Sequence, residues 1–137
     1  MRVEDFFASF NTEADVRRYF VEAKDAGIAS KMREPIGACL VTTKGNIVTG
    51  YNMRKMHPYV HRISPTLGSR HAEIQTIIRC LATRIDPTNG TIFVYRQNRL
   101  KNIGMARPCF FCEKTLRKIG IKNMFYTTHT GYNMERL

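Results

Sequence analysis

The sequence predicts an α/β fold in which helices pack on a single β-sheet. Three segments carry apolar residues at helical spacing, and between them lie short apolar runs, rich in β-branched and aromatic residues, that are bounded by turns. The predicted order is one helix, two strands, and then alternating helices and strands that end in a β-hairpin. This alternation is typical of one sheet covered by helices. We expect residues 1–137 to form a single domain, because this length is enough for one compact core.

The first part of the chain predicts a helix followed by a hairpin of two strands. Apolar residues on one helical face indicate a helix within the first 35 residues: Val16, Tyr19, Phe20 and Ala23. Asn11 or Thr12 is placed to cap this helix at its start, and Gly27 is placed to end it. The apolar run 36–43 then predicts a largely buried strand, and residues 47–51 predict the strand that returns beside it.

The second part of the chain alternates between helix and strand. A polar segment with two prolines, residues 53–70, predicts an irregular loop. After His71, apolar residues at helical spacing predict the second helix: Ile74, Ile77, Ile78 and Leu81. A third helix is predicted from Pro108 or Cys109 to Gly120. The remaining strands are predicted at residues 91–95, 122–127 and 132–137, the last being a short antiparallel return.

Positive charge is concentrated in the second part of the chain. The whole sequence carries a formal net charge of +11. Residues 1–35 contain six basic and seven acidic side chains, whereas residues 36–137 contain sixteen basic and only four acidic ones. A field of this sign attracts phosphate groups, either on a nucleotide or along a nucleic-acid strand. The charge therefore favours a phosphate-bearing partner, with simple solubility as the alternative.

Other features argue against a membrane or secreted protein. No apolar run approaches the roughly 20 residues that a membrane helix needs. Acidic residues also occupy the N-terminal positions where a signal peptide is basic. The four cysteines are too few for a disulfide framework, and Cys39 and Cys80 lie in apolar segments where buried thiols are expected. We therefore expect a cytoplasmic protein that has no membrane partner.

Two short motifs lie where two predicted helices begin. The sequence HAE occupies residues 71–73, and PCFFC occupies residues 108–112. Three side chains of these motifs suit a tetrahedral zinc ion with its fourth position open to water: His71, Cys109 and Cys112. Glu73 is then placed to handle the proton of that water. Each motif alone is weak evidence, but the two together, each at a helix start, predict a zinc site.

The pair of motifs resembles the HxE and PCxxC signature of zinc-dependent nucleobase deaminases. The sequence is similar to the cytidine deaminase superfamily over nearly its whole length. This resemblance implies a mixed sheet of about five strands with helices on both faces and Zn²⁺ between two helix starts. It implies His71, Cys109 and Cys112 as the zinc ligands. It also implies Glu73 as the residue that moves protons while water replaces the amino group of the base.

The resemblance also implies substrate contacts. Asn52, at the end of the second strand, would bind the substrate sugar, and the backbone N–H of Ala72 would bind the base carbonyl. Basic residues of two loops are expected on the pocket rim, where they would bind phosphate: Arg96, Arg99, Lys101 and Arg107 in one loop, and Arg54, Lys55, His57, His61, Arg62 and Arg70 in the other. Three aromatic residues are candidates for stacking on the base, with core packing as the alternative: Tyr59, Tyr95 and Phe110.

The substrate itself stays open at this level. A histidine at position 71 is typical of tRNA adenosine, deoxycytidylate and single-stranded nucleic-acid deaminases, whereas a C-terminal hairpin occurs in free-cytidine enzymes and in several nucleic-acid deaminases. We favour a (deoxy)cytidine nucleotide as substrate. The alternatives are cytosine in single-stranded DNA or RNA, adenosine in tRNA, and a catalytically inactive module that binds nucleic acid. The His57 and His61 pair raises a second zinc as a lesser hypothesis. Members of the superfamily commonly form homo-oligomers, but the sequence does not decide the oligomeric state.

Overall fold

A computed structural model of the chain describes residues 1–55, 57–58 and 69–137. The helices that lie wholly within these residues are α1 (Val3–Ala8), α2 (Ala14–Gly27), α3 (Ala72–Thr83) and α4 (Phe110–Lys118). The strands are β1 (Ile36–Val41), β2 (Ile47–Tyr51), β3 (Thr91–Arg96), β4 (Asn123–Thr127) and β5 (Tyr132–Arg136). Among the residues so described, no helix has the length and apolar character needed to cross a membrane.

The strands form one mixed sheet in the order β2-β1-β3-β4-β5. Strand β1 lies antiparallel to both β2 and β3, and β3 lies parallel to β4. Strand β5 returns antiparallel to β4, so the last two strands form a hairpin. The predicted five-stranded mixed sheet and its C-terminal hairpin are therefore confirmed.

Successive side chains of a strand point to opposite faces of the sheet, so the core residues form two layers, one on each face. In β3, Ile92 and Val94 face a layer that also contains residues of α3 and α4. Phe93 and Tyr95 face the opposite layer, which is rich in aromatic rings and is covered by α1 and α2. Helices therefore lie on both faces of the sheet, as predicted. Cys39 and Cys80 are fully buried thiols, one in each layer.

The N-terminal region differs from the prediction, because it contains two helices. Helix α2 begins at Ala14, and no side chain caps its N-terminus, so the predicted cap at Asn11 or Thr12 is wrong. The preceding turn places the partly buried Phe10 against the aromatic core layer, where its ring contacts Phe6 and stacks on Tyr132. These ring contacts pack the turn between α1 and α2 against the sheet. Helix α2 ends at Gly27, as predicted.

Two glycines let helices approach the sheet closely. A Cβ atom on Gly37 of β1 would lie 1.8 Å from the backbone oxygen of Ala23 in α2. A Cβ atom on Gly50 of β2 would lie 2.4 Å from the Thr76 hydroxyl in α3. Both distances are far below van der Waals contact, so a side chain at either position would push a helix away from the sheet. The glycine in β2 thereby brings the start of α3 against the end of that strand.

Candidate metal centre and pocket

The three predicted metal ligands lie together at the starts of α3 and α4. The Nδ1 atom of His71 is 3.7 Å from Cys109 Sγ and 3.3 Å from Cys112 Sγ. Tetrahedral zinc with ordinary Zn–N and Zn–S bonds separates such atoms by about 3.6 Å. Among the described residues, these three form the one cluster of at least three His, Cys, Asp or Glu side chains that can hold a metal ion. The donor set and its spacing therefore fit Zn²⁺.

Helix α3 is attached to strand β2 along its length. The Thr76 hydroxyl, seated over Gly50, donates to the backbone oxygen of Ala72 in the first turn. One turn further, Arg79 donates a hydrogen bond of 2.9 Å to the backbone oxygen of Thr49, and its guanidinium lies over the Tyr51 ring. These contacts hold the helix start, and with it His71, at the end of β2.

The loop that leads into α4 is tied to the end of β4 by Thr127. The hydroxyl of this fully buried residue donates to the backbone oxygen of Gly104 and accepts from the backbone N–H of Arg96. Its backbone oxygen accepts a 2.9 Å hydrogen bond from the N–H of Ala106. Strand β4 lies beside β3 in the sheet, so these hydrogen bonds hold the loop after β3 against the sheet. Cys109, at the end of this loop, thereby lies close to His71 at the start of α3.

The pKa values of the two cysteines shift in opposite directions in this arrangement. Hydrogen bonds from Cys112 and His71 lower the pKa of the Cys109 thiol to about 4. The pKa of Cys112 is raised, chiefly because its thiol donates that hydrogen bond and is also buried. The pKa of His71 is raised by its hydrogen bond with Cys109. The lowered pKa favours the thiolate form of Cys109 beside a histidine and a second thiol, and a thiolate is the form that binds a divalent cation.

Glu73 lies in the first turn of α3, and its side chain is buried, with 5% of the residue exposed. Burial raises the pKa of this carboxyl group, because the ionised form loses its hydration. The nearby His71 opposes the shift. A carboxyl group whose pKa is raised in this way can accept and return a proton closer to neutral pH than an exposed glutamate can.

A cavity of about 200 Å³ opens over Glu73 and the metal ligands. Its walls come from the ends of β1, β2 and β3, the starts of both site helices, and the loop after β3. It is lined by Ile36, Asn52, Ser69, His71, Ala72, Glu73, Val94, Arg96, Met105, Ala106, Arg107 and Cys109. Four of the residues predicted to bind substrate line this cavity, which we call the base pocket: Asn52, Ala72, Arg96 and Arg107.

The side chain of Asn52 is hydrogen-bonded to the segment before β1. Its Oδ1 atom accepts from the Ile36 backbone N–H at 2.9 Å and from the Ser30 hydroxyl at 2.6 Å. Its Nδ2 group donates to the backbone oxygen of Glu34 at 2.9 Å. Asn52 therefore shapes one wall of the base pocket, and sugar binding by this residue stays a prediction.

The two arginines of the base pocket are paired with acidic side chains. Arg96 forms an ion pair with Glu34. Arg107 binds both carboxylate oxygens of Glu135, at 2.8 and 3.1 Å, and also binds Glu113 at 2.7 Å. The rim is therefore less positive than the sequence suggests. No sequence motif indicates the Arg107–Glu135 pair, because its members are 28 positions apart and meet only through the β4–β5 hairpin.

Several other predicted rim residues lie elsewhere. Arg99 and Lys101 line a different cavity, because the chain turns back at Asn98, whose side chain accepts from two backbone N–H groups of that turn. Arg70 is buried and donates to Gln75 at 2.7 Å. Arg54 also lines another cavity. The predictions for these four residues are wrong, since none of them lines the base pocket.

The aromatic residues predicted to stack on the base also lie in different parts of the molecule. Tyr95 belongs to the aromatic core layer on the opposite face of the sheet, and its hydroxyl donates to Gln97, so base stacking by Tyr95 is wrong. Phe110 is 68% exposed beside Cys109 and stays a candidate. Tyr59, His61 and Arg62 lie outside the described residues, and so does the proposed pairing of His61 with His57 in a second zinc site.

The ion pair between Arg107 and Glu135 should make the stability of the native state depend on pH. Hydrogen bonds with Arg107 lower the pKa of the Glu135 carboxyl to about 2, below the usual 4.5. The native state therefore gains stability that is present above pH 4.5 and is lost as pH falls towards 2. We expect Glu135→Gln to be less stable than wild type above pH 5, by about 1 kcal/mol or less because the pair is partly exposed.

Thermal unfolding from pH 6 to pH 2 measures this effect, because the difference between wild type and Glu135→Gln should shrink at low pH. Glu4→Gln is the matched control, since its ion pair with Arg2 is more exposed and should contribute less. If the unfolding temperatures of wild type and Glu135→Gln differed by the same amount at every pH, the stabilising role of the Glu135 carboxylate would be contradicted.

The chain matches a known protein family and shares its fold with several solved structures. The model of a family described as the cytidine and deoxycytidylate deaminase zinc-binding region matches residues 11–128. Comparison with curated proteins finds no match. Among solved structures, the cytidine deaminase of Burkholderia pseudomallei matches with a TM-score of 0.66 at 19% identity, over 87% of this chain and 90% of that one.

Two further solved structures share the fold. The dCMP deaminase of the cyanophage S-TIM5 matches with a TM-score of 0.63 at 18% identity, over 86% of each chain. The cytidine deaminase of Mycobacterium leprae matches with a TM-score of 0.60 at 19% identity, over 90% of this chain and 94% of that one. At these identities the structures show a common fold, while the matched family region contains both motifs and the whole base pocket.

Proposed function

Because the chain belongs to the cytidine and deoxycytidylate deaminase family, we propose that it hydrolyses cytosine to uracil in a (deoxy)cytidine nucleotide. One observation carries this proposal. A His-Cys-Cys donor set that fits zinc lies next to a buried glutamate with a raised pKa, at the base pocket. Zinc and a proton-transferring carboxylate are the two components that hydrolytic deamination of a nucleobase requires.

Each site residue has a defined task in this proposal. His71, Cys109 and Cys112 would hold Zn²⁺, which supplies a water molecule activated at neutral pH. The Glu73 carboxylate takes a proton from the water and gives it to the ring nitrogen, which makes the amine-bearing carbon electrophilic. The water oxygen bonds to that carbon, and Glu73 moves the second proton of this oxygen to the amino group. The carbon–nitrogen bond then breaks, a carbonyl remains, and ammonia leaves.

The base would be oriented by the start of α3. The backbone N–H of Ala72 is in the first turn, where helical N–H groups have no partner within the helix. A carbonyl oxygen of the base is a suitable acceptor for it. The cavity of about 200 Å³ is small, since pockets for drug-sized ligands start at about 300 Å³. The sugar and phosphate would therefore extend towards the rim.

Arg96 and Arg107 are the candidates for phosphate recognition at that rim. A guanidinium has five N–H donors, so an arginine that is paired with a carboxylate retains donors for a phosphate oxygen. The acidic partners still reduce the gain in binding, and we expect a modest preference for nucleotide over nucleoside. The cyanophage dCMP deaminase that shares the fold has also been solved in complex with dCMP and dUMP.

Ammonia release from a panel of substrates tests the proposal. The panel contains cytidine, CMP, dCMP, and short single strands with either cytosine or adenine. We expect the highest kcat/KM with a cytidine nucleotide. Arg96→Gln should raise KM for dCMP while leaving KM for cytidine unchanged, because a phosphate contact contributes uniform binding.

Other outcomes would replace the proposal with one of its alternatives. Equal kcat/KM for cytidine and its phosphates, with no activity on strands, would indicate a free-nucleoside enzyme. Activity confined to strands would indicate a nucleic-acid deaminase acting on cytosine or on adenine. Absence of turnover on the whole panel by zinc-loaded protein would indicate an inactive binding module. A single domain, a cytoplasmic location and a homo-oligomeric state stay predictions alongside this proposal.

A further inference from the structure

A second cavity lies on the opposite face of the sheet from the base pocket. Its volume is about 390 Å³, and four basic residues line it without any acidic one: Lys24, Arg33, Arg99 and Lys101. In the described part of the chain, none of these four side chains forms an ion pair. The base pocket differs in this respect, because both of its arginines are neutralised by glutamates.

The backbone holds these charges in place. Asn98 Oδ1 accepts hydrogen bonds of 3.0 Å from the N–H groups of Leu100 and Asn102, which fixes the turn that carries Arg99 and Lys101. The Lys101 backbone oxygen also accepts a 2.9 Å bond from Val3 of α1. Two exposed cations are thereby presented from a hydrogen-bonded turn, so we expect little further ordering of the backbone when an anion binds.

The floor between the charges is partly apolar. Met32, Pro35, Gly37 and Tyr95 line the cavity, and Ile28 adds a side chain that is 75% exposed. A lining that combines apolar side chains with four cations suits a nucleotide unit, which has a flat base and a charged phosphate. A duplex would not fit in the same way, because its bases are stacked and paired inside the helix.

The two cavities are neighbours across the sheet. Gly37 is paired with Tyr95, and both line the cationic cavity, whereas the next pair, Ile36 with Arg96, lines the base pocket. Asn52 lines the base pocket, and its side chain binds the backbone of Glu34 and Ile36, on either side of Pro35, which lines the cationic cavity. One chain of linked nucleotides that crosses this end of the sheet would therefore reach both.

We propose that the cavity lined by Lys24, Arg33, Arg99 and Lys101 binds the phosphate backbone of a single-stranded nucleic acid. The inference goes beyond the proposed function and rests on it only for the base pocket, which would receive one unstacked base of the bound strand. Unpaired cations around an apolar floor carry the assignment, and the net charge of +11 would favour association with a polyanion.

Fluorescence anisotropy with a labelled thymidine strand of about 15 nucleotides tests the site. This strand has no exocyclic amino group, so its binding is independent of deamination, and either proposal can fail without the other. The test variant is Arg99→Glu with Lys101→Glu, both at exposed positions. The control is Lys44→Glu with Lys118→Glu, which changes net charge equally at exposed positions outside both cavities.

We expect the test variant to bind the strand at least about tenfold more weakly than the control does. The slope of log Kd against log salt should also fall by about 1.4, which is about 0.7 for each lost phosphate contact. Arg33→Glu should also weaken binding of the strand. An equal loss of affinity in the test and control variants would overturn the proposal. Equal affinity for a duplex of the same length, or displacement of the strand by an equal phosphate concentration of pyrophosphate, would also overturn it.

Discussion

Replacement of Glu73 by glutamine should reduce kcat by at least about 10³-fold while zinc content and fold are retained. Glutamine has nearly the same shape, so it fits the buried position in the first turn of α3. It cannot take up a proton from water or return one to the leaving amine. Since none of the three predicted ligands is changed, the metal should stay bound.

Ammonia release, zinc analysis and thermal unfolding of Glu73→Gln separate these effects. Binding of dCMP should persist, because the groups expected to bind the base and the phosphate are unchanged. Loss of turnover together with loss of zinc would indicate that Glu73 supports the metal centre. A rate near that of the wild type on any substrate would show that another group moves the proton.

Replacement of Cys112 by serine should release zinc and lower the unfolding temperature by more than about 10 °C. The Cys112 side chain is fully buried, and its sulfur lies 3.3 Å from His71 Nδ1. A serine hydroxyl is a poor zinc ligand compared with a thiolate. Bound zinc stabilises the native state by about 4 kcal/mol when its concentration is 1,000 times Kd, and this contribution disappears with the metal.

Cys80→Ser is the matched control, because Cys80 is an equally buried thiol in α3 that lies outside the metal cluster. This variant should retain zinc. Its free energy of unfolding should fall only by the cost of burying a hydroxyl group. A chelator should lower the unfolding temperature of wild type and of Cys80→Ser, but leave Cys112→Ser almost unchanged. Full zinc content in Cys112→Ser would contradict the assignment of this ligand.

Most of the fold was predictable because it depends on local periodicity. The apolar run at residues 36–43 and the alternating residues of 47–51 predicted β1 and β2, and the stripe after His71 predicted α3. The metal centre was predictable for a related reason. Its ligands belong to two motifs at helix starts, so their local spacing already places each donor in or just before a first helical turn.

The sequence alone thus determined the α/β class, the strand positions and the three residues that can hold zinc. Only the tertiary structure decided which basic side chains are paired with acidic ones and which cavity each of them lines. It pairs Arg107 with Glu135 through the terminal hairpin, and it turns Arg99 and Lys101 away from the base pocket. Backbone periodicity and ligand spacing are local properties of the chain. Ion pairs and cavity walls instead depend on segments that meet only after the strands have assembled, as β4 and β5 do around Arg107.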